Sequence, residues 1–220
     1  MLTLEGVDVA IAGTRVLRRV DLRIDHSGRV ALVGRNGAGK TTTLRAIMGL
    51  VPLAGGRIAF EGQDLGAVPA HRRTGLAIGY APEERRLFSS FTVEENLRLP
   101  AEVLGLPAAE VARRLDKTYA VLPEITEFKD RKAGGLSGGQ GKMVALGRAL
   151  MTGTKLVLLD EPFQGLAPAL ARRYAETLMR LREAEPELAI LITESNPDLL
   201  KPMVDSAYLI ERGEVHPTKL

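Results

Sequence analysis

The chain contains no cysteine and no tryptophan, and aromatic residues make up only 4% of its 220 positions. Without cysteine there is no disulfide framework, no thiol nucleophile and no zinc-thiolate site, and the composition suits a reducing compartment. Charge of one sign is also scarce. Thirty Lys and Arg against 27 Asp and Glu leave a net +3, too weak a field to grip nucleic acid by charge alone. The basic residues come in scattered pairs, Arg72 and Arg73, Arg85 and Arg86, Arg113 and Arg114, Arg172 and Arg173, which are expected on solvated helix faces. No apolar run approaches the roughly 18 residues of a membrane span, and even residues 188–193 form a short one. The first nine residues alternate apolar with polar and carry Glu5 and Asp8, so they predict a strand and not a secretion signal. What is present is ordinary globular usage, 45% hydrophobic and 26% charged, in a length that fits one large domain.

Strand and turn patterns fill the first 60 residues. Leu2, Leu4, Val7, Val9 and Ile11 lead into the turn Ala12-Gly13-Thr14, and Val20, Leu22 and Ile24 then alternate with charged neighbours as a half-exposed antiparallel strand would. Residues 30–33 are apolar on both faces and precede glycines and a helical stretch over 40–48, the pattern of a central strand feeding a helix. Gly55 and Gly56 turn the chain into an expected edge strand over 57–61. In the middle third, Thr92 and Glu95 form a capping-box pattern opening a helix in which Pro100 is a potential break. Pro107, expected at a first helical position, opens another that runs past Val111 and Leu115 towards Leu122. After Ser137 come a long helix, a strand over 156–159, a helix over 169–182 and a strand over 188–193. Buried strands alternating with helices predict an α/β fold with a parallel sheet, an antiparallel β subdomain near the N-terminus and a helical lobe inserted over 82–136, all within one domain.

Between the central strand and its helix lies Gly34-Arg35-Asn36-Gly37-Ala38-Gly39-Lys40-Thr41, the pattern G-x-x-x-x-G-K-[ST]. Glycines let the backbone curl so that successive N–H groups converge on an anion, and the following helix adds its partial positive charge. Contacts to a nucleoside triphosphate are expected from Gly34, Asn36, Gly37, Ala38, Gly39, Lys40, Thr41 and Thr42. Lys40 would reach the β and γ phosphates, and the Thr41 hydroxyl would hold Mg²⁺. The loop alone does not separate GTPases, kinases, helicases and transport ATPases.

A second constellation narrows the choice. In Leu136-Ser137-Gly138-Gly139-Gln140, Ser137 as N-cap and Gln140 at the third helical position predict a capping box, and Gly138 with Gly139 leaves that helix end bare enough for a phosphate to approach. Next comes the apolar strand Leu156-Val157-Leu158-Leu159, ending in Asp160 and Glu161. Asp160 is placed to hold Mg²⁺ through water, and Glu161 to take a proton from an attacking water.

In the order and spacing of these three motifs, the sequence resembles the nucleotide-binding subunit of an ATP-binding-cassette (ABC) transporter, over nearly the whole chain. Gly34 to Thr41 matches the family's Walker A loop, Leu136 to Gln140 its signature, and Leu156 to Glu161 its Walker B strand. Pro82-Glu83-Glu84-Arg85-Arg86-Leu87-Phe88, Thr92-Val93-Glu94-Glu95-Asn96-Leu97 and Asp160-Glu161-Pro162-Phe163-Gln164-Gly165-Leu166-Ala167-Pro168 look like ATPases of branched-chain amino-acid importers. The resemblance implies a head-to-tail dimer, of this chain with itself or with a sister ATPase, with ATP held between the phosphate loop of one subunit and the signature helix of the other. It implies a peripheral position on the cytoplasmic face of the membrane. Residues 88–99 would meet an integral membrane permease subunit, and a substrate-binding protein would act indirectly. A lipid or polysaccharide exporter ATPase, and a soluble cassette acting on DNA or ribosomes, are the alternatives.

Four positions depart from the family pattern. Ile11 stands nearest to the aromatic residue that usually stacks on adenine, and an aliphatic side chain lacks that stacking geometry. Glu83 replaces a glutamine that usually senses Mg²⁺ and the γ phosphate, and its carboxylate can still bind Mg²⁺ but would repel the γ phosphate if the metal left. Ser195 falls where a histidine usually contacts the γ phosphate, and a hydroxyl cannot supply a cation. Ala167 takes the place of an acid in the loop joining the two sites. His26, His71 and His216 are expected at the surface.

Overall fold

A computed structural model describes residues 1–220. In chain order, β1 (Leu2–Ile11) and β2 (Thr14–Ile24) form a hairpin, followed by β3 (Arg29–Val33), α1 (Lys40–Ile47), β4 (Gly55–Phe60), β5 (Gln63–Asp64), the short α2 (Ala70–Arg73) and β6 (Ile78–Ala81). Then come α3 (Val93–Val103), α4 (Ala108–Val121), α5 (Gly138–Leu150), β7 (Leu156–Asp160), α6 (Pro168–Ala184), β8 (Ala189–Glu194), β9 (Ser206–Glu211) and β10 (Glu214–Thr218). The strands make two sheets. The smaller is antiparallel with order β2-β1-β4-β5, and the larger has order β10-β9-β3-β8-β7-β6, parallel except for the β9–β10 hairpin at its edge.

The expected α/β architecture is present, with corrections at particular elements. The strand after Gly55 is not an edge, because two-residue β5 covers its far side. Pro100 does not break α3, although it leaves the turn before it without one hydrogen bond. Val93, Leu97 and Ala101 are buried at intervals of four, and Arg98 reaches Glu102 at 2.9 Å across the proline, so packing and a surface pair carry the helix through. Pro107 is the residue before the first turn of α4 rather than within it. Arg73 is not on a solvated face. It is buried, and its guanidinium donates to the carbonyls of Ala46, Ile47, Leu65 and Val68, closing the C-terminal end of α1. The three histidines are exposed as expected.

Strand periodicity divides the interior in two. Val30, Leu32, Leu156, Leu158, Ala189 and Leu191 face the small sheet and α1. Their alternates Ala31, Val33, Val157, Leu159, Ile190 and Ile192 face the helical side, with Leu97, Leu115, Leu146 and Leu178. A strand buried on both faces has no register freedom, so the C-terminal ends of β3, β7 and β8 align along one edge of the sheet, where side chains from all three meet.

Candidate nucleotide site

At that edge β3 turns into α1 through residues 34–39. Gly34 packs so closely on the carbonyl of Ile210 in β9 that a Cβ could not fit, and Gly39 sits at φ +117° as the residue before the first turn of α1. No side chain caps α1, in contrast to α3 and α5. The amides of Gly37, Gly39, Lys40, Thr41 and Thr42 donate to no protein acceptor. These residues line an open cleft of about 360 Å³ together with Ile11, Val16 and Glu161. A ring of unpaired N–H groups at a helix start is an anion receptor by geometry and by partial charge.

The charges around it are arranged in pairs. Lys40 is only 3% exposed and its Nζ donates to Gly34 O at 2.6 Å, Arg35 O at 3.1 Å and Ser195 Oγ at 3.1 Å, with Glu161 Oε1 at 3.1 Å. Phosphate oxygens entering the cleft would compete for the same three donor hydrogens. Ser195 Oγ lies 2.6 Å from Asn36 Oδ1 and 3.1 Å from Glu161 Oε2, so Ser195 touches both the loop and the acid. Asp160 is buried and accepts from Thr41 Oγ1 at 3.0 Å, Thr193 Oγ1 at 2.9 Å and the Tyr80 hydroxyl at 3.1 Å. Burial raises its pKa, and those three hydrogen bonds oppose the rise. Burial also raises the Tyr80 hydroxyl, helped by the neighbouring Asp160, so Tyr80 serves as a donor.

Glu83, in the turn after β6, is drawn upward in pKa by burial and then by Glu161 and Asp160. With its amide oriented to suit its neighbours, Gln164 donates to Glu83 Oε1 at 2.6 Å and to Glu161 Oε2 at 3.1 Å, tying the two acids together. No group of three or more His, Asp or Glu side chains forms a self-sufficient metal cage. Thr41 and Asp160, 3.0 Å apart, fit instead an ion that arrives with phosphate oxygens and keeps several waters, as Mg²⁺ does.

The second helix end is built as expected. Ser137 Oγ accepts from the Gln140 amide at 3.3 Å, the Gln140 side chain accepts from the Ser137 amide at 3.0 Å, and the amides of Gly138 and Gly139 have no protein acceptor. It does not share the cleft of the phosphate loop. Gly139 and Gln140 line a different depression with Phe128, Met143, Leu166 and Leu170. One chain therefore presents two helix ends with unpaired amides, and they do not close on each other.

A family model described as "ABC transporter" matches residues 17–164, the segment that contains both helix ends and the Asp160-Glu161 pair. The chain belongs to the ABC transporter ATP-binding family. "Probable branched-chain amino acid transport ATP-binding protein LivF" of Archaeoglobus fulgidus is 36% identical over 200 residues, covering 91% of this chain and 84% of the relative. "Lipopolysaccharide export system ATP-binding protein LptB" of Escherichia coli is 33% identical over 216 residues, covering 97% of this chain and 88% of that one. A crystal structure of the ADP conformation of an ABC transporter's ATP-binding cassette superposes with a TM-score of 0.80 at 27% identity, over 98% of this chain and 89% of the other. This cassette is thus an ATP-binding protein of the ATPase class, similar both to a branched-chain amino acid transport protein and to a lipopolysaccharide export protein. No helix in it is long and apolar enough to cross a membrane.

Of the residues singled out in the sequence, the cassette brings Lys40, Thr41, Asp160, Glu161, Ser195 and Asn36 into one hydrogen-bonded group, with Glu83 attached through Gln164. Ile11 lies at the mouth of the same cleft and is 44% exposed, open to a flat ligand face. Gln164, in the quoted motif after β7, joins them through its side chain, and Tyr80, Thr193, Lys142 and Glu194 also belong to the site or its frame and carry no local pattern in the sequence. These four are reached only through strand neighbours β6, β7 and β8 and through α5.

Proposed function

We propose that the chain is the ATP-hydrolysing subunit that powers an ABC importer for branched-chain or related amino acids. The observation that carries the catalytic part is the ring of unpaired amides from Gly37 to Thr42 around a buried Lys40, beside Thr41, Asp160 and Glu161. These amides and Lys40 would hold the β and γ phosphates. Thr41 and Asp160, with Glu83 nearby, would hold Mg²⁺, which when bound would offset charge on the phosphates. Glu161 would accept a proton from a water whose oxygen attacks the γ phosphorus as the bond to the leaving ADP oxygen breaks. Ser195 would hydrogen-bond the γ phosphate and hold the Glu161 carboxylate.

The partner's Ser137–Gln140 turn would be the second donor surface, because a chain's own signature turn opens into a depression apart from its phosphate-loop cleft. We therefore infer a head-to-tail pair of two copies. Residues 82–136, helical between β6 and α5, would act as the lobe that meets the permease. Where that lobe meets α1 and α5, a groove of about 270 Å³ is lined by Arg45, Arg85, Arg86 and Arg148, and Arg148 also lies over the ring of Phe88, which is exposed and stacked on Phe91. A short membrane-subunit helix carrying a carboxylate would find its counter-charges in these guanidinium groups.

Likeness to LivF favours import, and the nearly equal likeness to LptB keeps lipid export as the second reading. Purification with the membrane subunits separates them: import predicts amino-acid uptake dependent on a substrate-binding protein, and export predicts none. For the chemistry, Lys40→Ala is expected to weaken ATP binding by about a hundredfold or more, whereas Glu161→Gln retains binding and loses phosphate release by about a thousandfold. Unchanged affinity in the first, or undiminished turnover in the second, overturns these assignments.

A further inference from the structure

Lys142 is the one buried-side cation near the site that the chemistry above leaves unused. It lies on α5 five residues after the Ser137 cap, yet it points into its own chain, away from any partner nucleotide that the α5 N-terminus would serve. Its Nζ donates to the backbone carbonyl of Glu161 at 2.7 Å. The charged groups that act on it are the carboxylates of Glu194, Glu83 and Glu161 and the guanidinium of Arg85. Burial pulls its pKa down, and the three carboxylates oppose that pull.

Glu161 needs such support. Its φ is +45°, a left-handed conformation that a side chain with a Cβ adopts only at a cost of about 1–2 kcal/mol unless its surroundings hold it. Its amide is fixed by Thr193 O and Thr193 Oγ1, both at 3.1 Å, and two residues later the Phe163 amide donates to Glu194 Oε1 at 2.8 Å. The carbonyl side is held by Lys142. That backbone turn directs the Glu161 carboxylate at Lys40 and Ser195.

We propose that Lys142 is a positioning residue that ties the signature helix to the general base Glu161 of its own chain, so that the pose of Glu161 follows the pose of α5. The proposal rests on the reading of the protein as a two-copy ATPase. In that arrangement one helix touches the partner's nucleotide with its N-terminus and, through Lys142, holds the Glu161 that acts on its own chain's nucleotide, a link between the two sites that does not need an acid at Ala167.

ATP turnover by the full chain tests it. Lys142→Met is expected to lower kcat by about tenfold or more while KM for ATP stays within about twofold, and Lys142→Arg to recover most of the loss. If the Met variant folds poorly, Lys142→Gln, which removes the charge and shortens the reach, is expected to show the same split. Wild-type kcat in a folded Met or Gln variant, or a loss confined to KM, overturns the role. Glu161→Gln, examined for pairing with Mg-ATP, separates the two levels. If it does not pair, the two-copy reading fails. If it pairs while Lys142→Met turns over normally, only the positioning role fails.

Discussion

Glu194 is the least conventional side chain in the frame of the site. It is 3% exposed, accepts from the Phe163 and Ser195 amides, and burial raises its pKa to about 7, with Glu161 adding to the rise and Lys142 opposing it. The folded value lies above the ordinary 4.5, so between about pH 4.5 and 7 the native state holds a proton that the unfolded chain lacks. This contribution is complete below that window and is lost as pH rises through it. Glu194→Gln keeps an oxygen for the Phe163 amide and removes the titration. Denaturant unfolding at pH 5 and pH 8 should show the variant gaining about 1–3 kcal/mol relative to wild type on going to the higher pH. Parallel pH dependence in the two proteins contradicts it.

Ile11 gives a second prediction at this scale. It offers the cleft an aliphatic surface without stacking geometry, so Ile11→Tyr should tighten ATP binding by about threefold to tenfold in a fluorescence titration. Unchanged or weaker binding would remove Ile11 from the base-binding surface. Residues like these show where legibility stops. Lys40, Thr41, Ser137, Gln140, Asp160 and Glu161 were readable because each sits in a short pattern whose backbone geometry has one purpose. Tyr80, Thr193 and Glu194 act across sheet neighbours far apart in sequence, and no spacing along the chain reveals them.

Among the elements, those with a long one-sided or two-sided apolar pattern were legible, and short ones were not. β6 reads Ile-Gly-Tyr-Ala, too brief and too small to stand out, yet it brings Tyr80 to Asp160. β9 is half-exposed, and the hairpin to β10 turns on Arg212 and Gly213, both at positive φ, a turn type that favours glycine but is easily overlooked after arginine. The pair Arg72 and Arg73 illustrates the opposite error: identical chemistry at adjacent positions, one exposed and one locking the end of α1 through four carbonyls. Arg73→Met should lower unfolding stability by about 2–4 kcal/mol, because those carbonyls lose their donors inside the protein. Arg72→Met should change it by less than about 0.5 kcal/mol. Equal effects of the two substitutions in denaturant melts would contradict this division.

At the level of the whole molecule, two cores share one sheet: the small antiparallel sheet with α1 on one face, the helices on the other. That arrangement fixes the phosphate loop at the strand ends and leaves the signature turn on the helical side, in a separate depression. The two helix ends could be recognised in the sequence as anion sites, but their separation within one chain could not, since it depends on how α5 packs over β6 and β7. On the proposed two-copy reading, that separation is why a second copy would be needed to close the site. The most direct test is the molar mass of Glu161→Gln in solution, by light scattering with and without Mg-ATP. The account predicts one chain of 23.8 kDa without nucleotide and twice that mass with it, the increase being abolished by Ser137→Arg. A variant that binds Mg-ATP but keeps the mass of a single chain at every concentration measured would contradict it.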